Sequence, residues 1–257
     1  MMPSLFLSHG SPMLAVEDNE YTRFLGEYGR RNRPRAVVVF TAHWEEPVVT
    51  VTCTDSVYGT IHDFGGFPDK LYAIHYPARG SSTTAAEVRR LLKEGGIPSR
   101  EDETRGLDHG SWVLLSRLYP QADIPVVQVS VNPALPASGQ FRIGECLRPL
   151  GREGVLVLGS GATVHNLFRL RFGQSEPEAW AVAFDDWLIE KIGMRDTASL
   201  FAYNREAPNA RLAVPRPEHF VPLLIAMGSA DPGAGAKVVY RGYDLGSLSY
   251  LGFQFGP

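Results

Sequence analysis

Short apolar runs rich in β-branched residues recur along the chain at residues 4–8, 36–41, 124–130 and 155–158. Such uninterrupted runs predict strands buried on both faces of a sheet. Residues 48–52 and 238–241 are further strand candidates. Between them, apolar residues return at helical spacing over 83–94, 111–119, 138–150 and 177–191, the last carrying Trp180, Phe184, Trp187 and Leu188 on one stripe. This alternation predicts an α/β fold with helices layered against the sheet. Residues 247–255 alternate loosely and predict a late strand that makes the sheet mixed, and the apolar run after His219 predicts another helix.

Two stretches break the pattern. Residues 58–82 carry Gly59, Gly65, Gly66, Pro68, Pro77 and Gly80, and a connection that long without regular structure points to an active-site loop. Residues 207–217 hold three prolines and lead into Glu218 and His219. No shift in composition divides the chain, so residues 1–257 are expected to form a single domain.

Composition narrows the function more than the fold. With 44% hydrophobic and 21% charged residues the chain is of ordinary globular type, which excludes a disordered or collagen-like protein. Its 25 basic and 28 acidic residues are scattered, leaving no electropositive stripe, so nucleic acid is not an expected partner. The N-terminal apolar run lacks a basic flank, and no apolar stretch approaches the roughly 18 residues that span a bilayer. Neither secretion nor membrane insertion is expected; the expected location is the cytoplasm. There Cys53 and Cys146 would remain free thiols.

The chemistry lies with the histidines. His9 follows the run 4–8, His43 follows 36–41, and His165 follows 155–158 by way of Gly159-Ser160-Gly161. Open α/β sheets bind ligands outside the carboxyl ends of their strands. Three imidazoles delivered there predict a metal site, imidazole being the commonest metal-ligating side chain. Rival signatures are absent: no Gly-x-Ser-x-Gly elbow, no complete dinucleotide or phosphate-binding loop, and no His-Glu-x-x-His pair.

Several blocks in order carry a resemblance. They are Phe6-Leu7-Ser8-His9-Gly10-Ser11-Pro12, Thr41-Ala42-His43-Trp44, Ile61-His62-Asp63-Phe64-Gly65-Gly66-Phe67-Pro68 and Gly106-Leu107-Asp108-His109-Gly110-Ser111-Trp112, followed by Gly159-Ser160-Gly161 with His165-Asn166-Leu167, and Pro217-Glu218-His219-Phe220-Val221-Pro222. In these the chain resembles, from end to end, the class III extradiol ring-cleaving dioxygenases, in the DOPA 4,5-dioxygenase branch of the LigB-like family. The resemblance implies a three-layer α/β/α domain around a mixed, mostly parallel sheet. It also implies a catechol and dioxygen as small-molecule partners, Fe(II) for turnover, and Zn(II) as another occupant of the same site. By resemblance, His9, His43 and His219 are metal ligands, His165 is the acid–base histidine or a fourth ligand, and His109 faces the substrate.

Better-known class III enzymes use two histidines and a glutamate, whereas here the third position falls in Glu218-His219. Adjacent residues point about 100° apart on a helix or to opposite faces of a strand, so only one of the pair reaches a shared ion. The branch pattern centres on His219, leaving Glu218 a supporting or surface role. In the loop 58–82, Phe64, Phe67, Tyr72 and Tyr76 offer aromatic surface for a flat ring. His62 is a site-lining candidate through its motif, and His75 reads as a structural loop residue. Two rival functions share this histidine set: a zinc hydrolase using metal-bound hydroxide, and a metal- or partner-binding protein of the same fold without turnover.

Overall fold

The computed structural model describes residues 1–174 and 176–257. Among these described residues ten strands form: β1 Ser4–Ser8, β2 Ala36–Glu45, β3 Val49–Thr52, β4 Ser99–Asp102, β5 Val126–Val131, β6 Val155–Gly161, β7 Ala236–Tyr240, β8 Tyr243–Asp244, β9 Leu248–Ser249 and β10 Gly252–Phe255. Eight make one sheet in the order β4-β3-β5-β2-β6-β1-β10-β7, and β8 and β9 pair separately. Strands β5, β2, β6 and β1 are mutually parallel at its centre. The late strand β10 runs antiparallel to both β1 and β7, which makes the sheet mixed.

Side chains that alternate along a strand fill different layers. In β2, Val37 and Val39 pack on one face with the helices Glu20–Arg31 and His109–Leu118. Val38 and Phe40 pack on the other, against Ser82–Glu94 and Ala137–Cys146. In β1, Leu5 and Leu7 join the first face, while Phe6 turns to Ala179–Met194 and Val221–Gly228. The sheet is therefore covered on both sides, and all four residues 37–40 are fully buried.

Several predicted boundaries move. β2 continues to Glu45, with its register against β5 broken between Phe40 and Glu45, so His43 lies within an irregular strand end rather than after it. β6 continues through Gly161, so Gly159-Ser160-Gly161 belongs to the strand rather than to the connection between residue 158 and His165. The helix predicted over 138–150 is two, Ala137–Cys146 and Arg148–Arg152, with Pro149 in the first turn of the second. Residues 58–82 contain only the short helix Asp69–Tyr72 and isolated bridges before Ser82 opens the helix Ser82–Glu94. The helix Glu20–Arg31 and strand β4 were not predicted. Cys53 and Cys146 are free thiols, and among the described residues no helix is long and apolar enough to cross a membrane.

The order of strands positions the chemistry. β2, β6 and β1 are adjacent and parallel, so their carboxyl ends open on the same edge. His43, His165 and His9 belong to those three ends.

Candidate metal centre and its cavity

His9 leaves β1 with its N–H donating to the Gly161 carbonyl (3.2 Å). The Tyr21 hydroxyl clamps the carbonyl of Ser8 from below at 2.6 Å. Gly10 then takes φ +55°, a left-handed turn open to glycine, against the ring of Tyr250. His219 arrives from the loop before the helix Val221–Gly228, and its carbonyl accepts from the Ala162 N–H (2.9 Å). That approach needs Gly161, where a Cβ would stand 2.0 Å from the His219 oxygen.

Three imidazoles meet. His43 Nε2 lies 3.1 Å from His9 Nε2 and 3.3 Å from His219 Nε2. Each opposite nitrogen has an acceptor: His9 Nδ1 on Ser160 Oγ (2.9 Å), His43 Nδ1 near Asp63 Oδ2 (3.3 Å) and His219 Nδ1 on Glu218 Oε1 (3.1 Å). The Ser160 hydroxyl gives its only proton to the Gly110 carbonyl, so it can only accept from His9. Protons on the three Nδ1 atoms leave three Nε2 lone pairs facing one another. Burial, and then the neighbouring imidazoles, push His9 and His219 well below the ordinary histidine range, so both are neutral.

Converging lone pairs repel unless a cation sits among them. Two nitrogens each about 2.1 Å from one ion stand roughly 3.0 to 3.4 Å apart at octahedral or tetrahedral angles, which matches the observed spacings. The donor set therefore fits a divalent metal, each ligand fixed by a second partner as metal-bound histidines usually are. His9, His43 and His219 are within 4.8 Å of one another through their ligand atoms. Glu218 is buried and directs its carboxylate to His219 and to Arg216, 3.4 Å away, which rules out the surface role considered for it.

Two more histidines flank the trio. His165 stacks on His219 with ring centres 3.5 Å apart and planes 11° from parallel, and its backbone N–H donates to the Ala213 carbonyl (2.9 Å). Burial pushes its pKa down to about 4, against a weaker opposing pull from Glu218. His109 opens the helix His109–Leu118, whose first turn is capped by Asp108 accepting from the Ser111 N–H. Its ring lies 3.9 Å from that of His43, centre to centre. Asp63 joins the two: Oδ1 accepts from the His109 backbone N–H (2.9 Å) and Oδ2 faces His43. Burial alone would raise the Asp63 pKa, but contacts with His109 and His43 hold it well below the usual carboxylate range. Asp108 also accepts from the Thr41 hydroxyl (2.7 Å) and from Arg105, which in turn donates to the His43 carbonyl.

A cavity of about 460 Å³ opens above this cluster, with His9, His43, His109 and His165 on its floor and Phe64 and Phe67 on its wall. Three of the predicted ring-contacting or site-lining residues lie elsewhere. Tyr76 is buried in the core, its hydroxyl donating to the Tyr119 carbonyl (2.9 Å). His62 is held behind the wall by the Ile74 carbonyl (3.0 Å) and by the rings of Phe64 and Trp112. Tyr72 supports Phe64 from outside the cavity. Asp63, Asp108 and Ser160 escaped sequence reasoning. Their signal was adjacency: each lies inside a block with a glycine or histidine neighbour, but nothing local says what the carboxylate or hydroxyl will touch.

Residues 3–251 match the family described as the catalytic LigB subunit of aromatic ring-opening dioxygenase. The chain is 41% identical over 261 residues to a protein of Escherichia coli (strain K12) named 4,5-DOPA dioxygenase extradiol, with 99% of this chain and 95% of the relative covered. A protein of the same name from Beta vulgaris is 39% identical over 257 residues, covering 98% of this chain and 96% of the relative. The crystal structure of an uncharacterized Escherichia coli K12 protein superposes with a TM-score of 0.84 at 36% identity, over 100% of both chains.

Proposed function

The chain belongs to the LigB family of aromatic ring-opening dioxygenases and is a metal-dependent extradiol ring-cleaving enzyme, and from that premise we propose that His9, His43 and His219 hold Fe(II) while a catechol such as DOPA enters the cavity above them. The observation that carries this reading is the convergence of three imidazoles: His9 and His219 Nε2 lie 3.1 and 3.3 Å from His43 Nε2, while Ser160, Asp63 and Glu218 stand as acceptors at the three Nδ1 atoms. Zn(II) suits the same donors and would occupy the site without supporting turnover.

When bound, the metal supplies Lewis acidity toward the diol and the redox chemistry that activates dioxygen. The protein supplies the rest. His165, neutral and half-buried at the cavity floor, takes a proton from a catechol hydroxyl onto its free ring nitrogen and returns it as the ring opens. Its stacking on His219 keeps it beside the metal ligands without requiring it to be a fourth one. His109 is held by Asp63 so that its ring faces the cavity, where it hydrogen-bonds a substrate hydroxyl. Phe64 and Phe67 pack on the ring and exclude water. A reducing cytoplasm would keep both the iron ferrous and the two cysteines reduced.

Anaerobic loading with ferrous iron, followed by oxygen uptake against a panel of catechols with product absorbance recorded, tests the proposal. One dioxygen consumed per ring opened, with iron and not with zinc, is expected. Zinc-dependent ester hydrolysis without oxygen uptake would overturn it.

A further inference from the structure

The cavity reaches beyond its floor of histidines. At about 460 Å³ it is of the size that holds a drug-sized ligand, larger than a bare catechol ring requires. Past the histidines its lining is apolar: Leu167, Leu170 and Phe172 come from the segment after His165, and Leu245 and Leu248 from the β8–β9 hairpin. Two of these side chains stand largely in solvent although they line the cavity, Leu167 at 61% exposed and Phe172 at 86%. Neighbouring large apolar side chains left uncovered on a soluble domain mark a surface that a ligand or partner covers.

The fold does not need these two side chains where they stand. The segment is held by polar bonds: the Arg171 N–H donates to the Leu245 carbonyl (2.8 Å), Asn166 Nδ2 to the Leu212 carbonyl (2.9 Å) and the Arg169 N–H to the Asn166 carbonyl (3.0 Å). Leu170, half-buried, turns in to pack on the core. Leu167 and Phe172 are therefore fixed beside the cavity by the backbone rather than by burial of their own side chains. Phe168, between them in sequence and 98% exposed, stands outside the cavity. Among the described lining residues the formally charged side chains are Glu17, Asp63 and Asp244, so a substituent ending in a carboxylate meets like charge there with no cation to offset it.

We propose that Leu167, Leu170 and Phe172 form a subsite for the ring's substituent, and that it selects catechols bearing an alkyl chain at the 4-position over catechols whose chain ends in a carboxylate. The inference rests on the ring-opening reading above and deepens it by naming the substituent. His165, on the floor, precedes Leu167 by two residues, a step of at most about 7 Å, which is the width of a substituted ring. With the diol at the histidines, a chain at the 4-position therefore leaves the floor along the apolar segment. Seating it there takes the chain and the exposed faces of Leu167 and Phe172 out of water together. That gain exists only with ligand bound, so both side chains stay exposed in the free protein.

Three unreactive monophenols, 4-methylphenol, 4-butylphenol and 3-(4-hydroxyphenyl)propionate, titrated into the metal-loaded protein under anaerobic conditions, separate the outcomes. 4-Butylphenol is expected to bind at least about 10-fold more tightly than 4-methylphenol, since each buried methylene contributes about 3- to 4-fold, and at least about 10-fold more tightly than the acid. The butyl-to-methyl ratio should fall toward one in Leu167→Ser combined with Phe172→Ser, with metal content and urea midpoint retained. It should persist in Phe168→Ala, which removes an exposed ring outside the cavity. Equal affinities of the two alkylphenols, an acid that binds as tightly as 4-butylphenol, an unchanged ratio in the double variant, or the same loss in Phe168→Ala would overturn the proposal. Oxygen uptake by the ferrous wild-type protein with 4-methylcatechol is measured beside it. Failure there removes the ring-opening reading, while the alkylphenol ratio still reports on the apolar subsite by itself.

Discussion

The Nδ1 partners make three chemically different anchors for three chemically identical ligands. Ser160 is a neutral acceptor whose proton is committed to Gly110, whereas Asp63 and Glu218 are carboxylates that also raise the electron density of their imidazoles. Ser160→Ala should weaken metal affinity by about 10- to 100-fold, measured by competition with a chelator, and Glu218→Gln should do the same or less. His219→Ala should empty the site. If Glu218→Gln empties it and His219→Ala does not, the carboxylate is the ligand and the assignment reverses. His165→Ala should lower kcat by about 10²- to 10⁴-fold with metal content retained; loss of stoichiometric metal would make it a ligand instead. Acid should reveal the same cluster. His165 folds with its pKa depressed to about 4, below the unfolded histidine value, and His9 and His219 shift in the same direction. Between these limits the unfolded chain binds more protons, so this stabilisation is complete above about pH 6.5 and is lost as the pH falls toward 4. Urea midpoints of the metal-free protein should therefore drop across that range, and less so in His165→Asn.

At the scale of elements, two joints decide whether the histidines meet. Gly161→Ala would drive a methyl group into the His219 carbonyl and should cost metal binding more than its effect on the sheet alone would suggest. Asp185 gathers hydroxyls from Thr163 (2.6 Å), Tyr243 and Ser249, joining the loop that carries His165 to the β8–β9 hairpin. Asp185→Asn should lower stability by about 1 to 3 kcal/mol in urea unfolding, the cost of leaving buried donors poorly matched. The buried strands were legible because β1, β2, β5 and β6 are apolar on both faces, and the histidines were legible because they follow those runs. The helix Glu20–Arg31 was not. Its core contacts are Tyr21, Leu25 and Tyr28, two of them tyrosines among charges and glycines, and its start is set by a reciprocal Asn19–Thr22 cap rather than by an apolar run. Strand β4, Ser-Arg-Glu-Asp, has no buried residue and exists only through its pairing with β3. Tyr76 misled because an aromatic in a loop reads the same whether it faces a cavity or the core; the Tyr119 carbonyl that takes its hydroxyl is 43 residues away.

For the whole molecule, metal and fold are linked through elements far apart in sequence. An ion bound by the trio ties β1, β2 and the loop before Val221–Gly228 together, so it should stabilise the native state by about 2.7 kcal/mol at a free concentration 100 times its Kd. A melting temperature that does not respond to Fe(II) or Zn(II) would count against the trio as the binding site. The position of β1 carries a consequence for biosynthesis. Its two neighbours are β6 and β10, both made long after it, and β10 pairs Phe253 with Phe6 only near the end of the chain. While the ribosome is still translating, the segment bearing His9 emerges before both of its partner strands, with Leu5, Phe6 and Leu7 uncovered and both edges unpaired. That interval, rather than any weakness of the finished enzyme, is where chaperones would be needed, and slowing elongation before residue 155 should lower the soluble yield more than slowing it after residue 255.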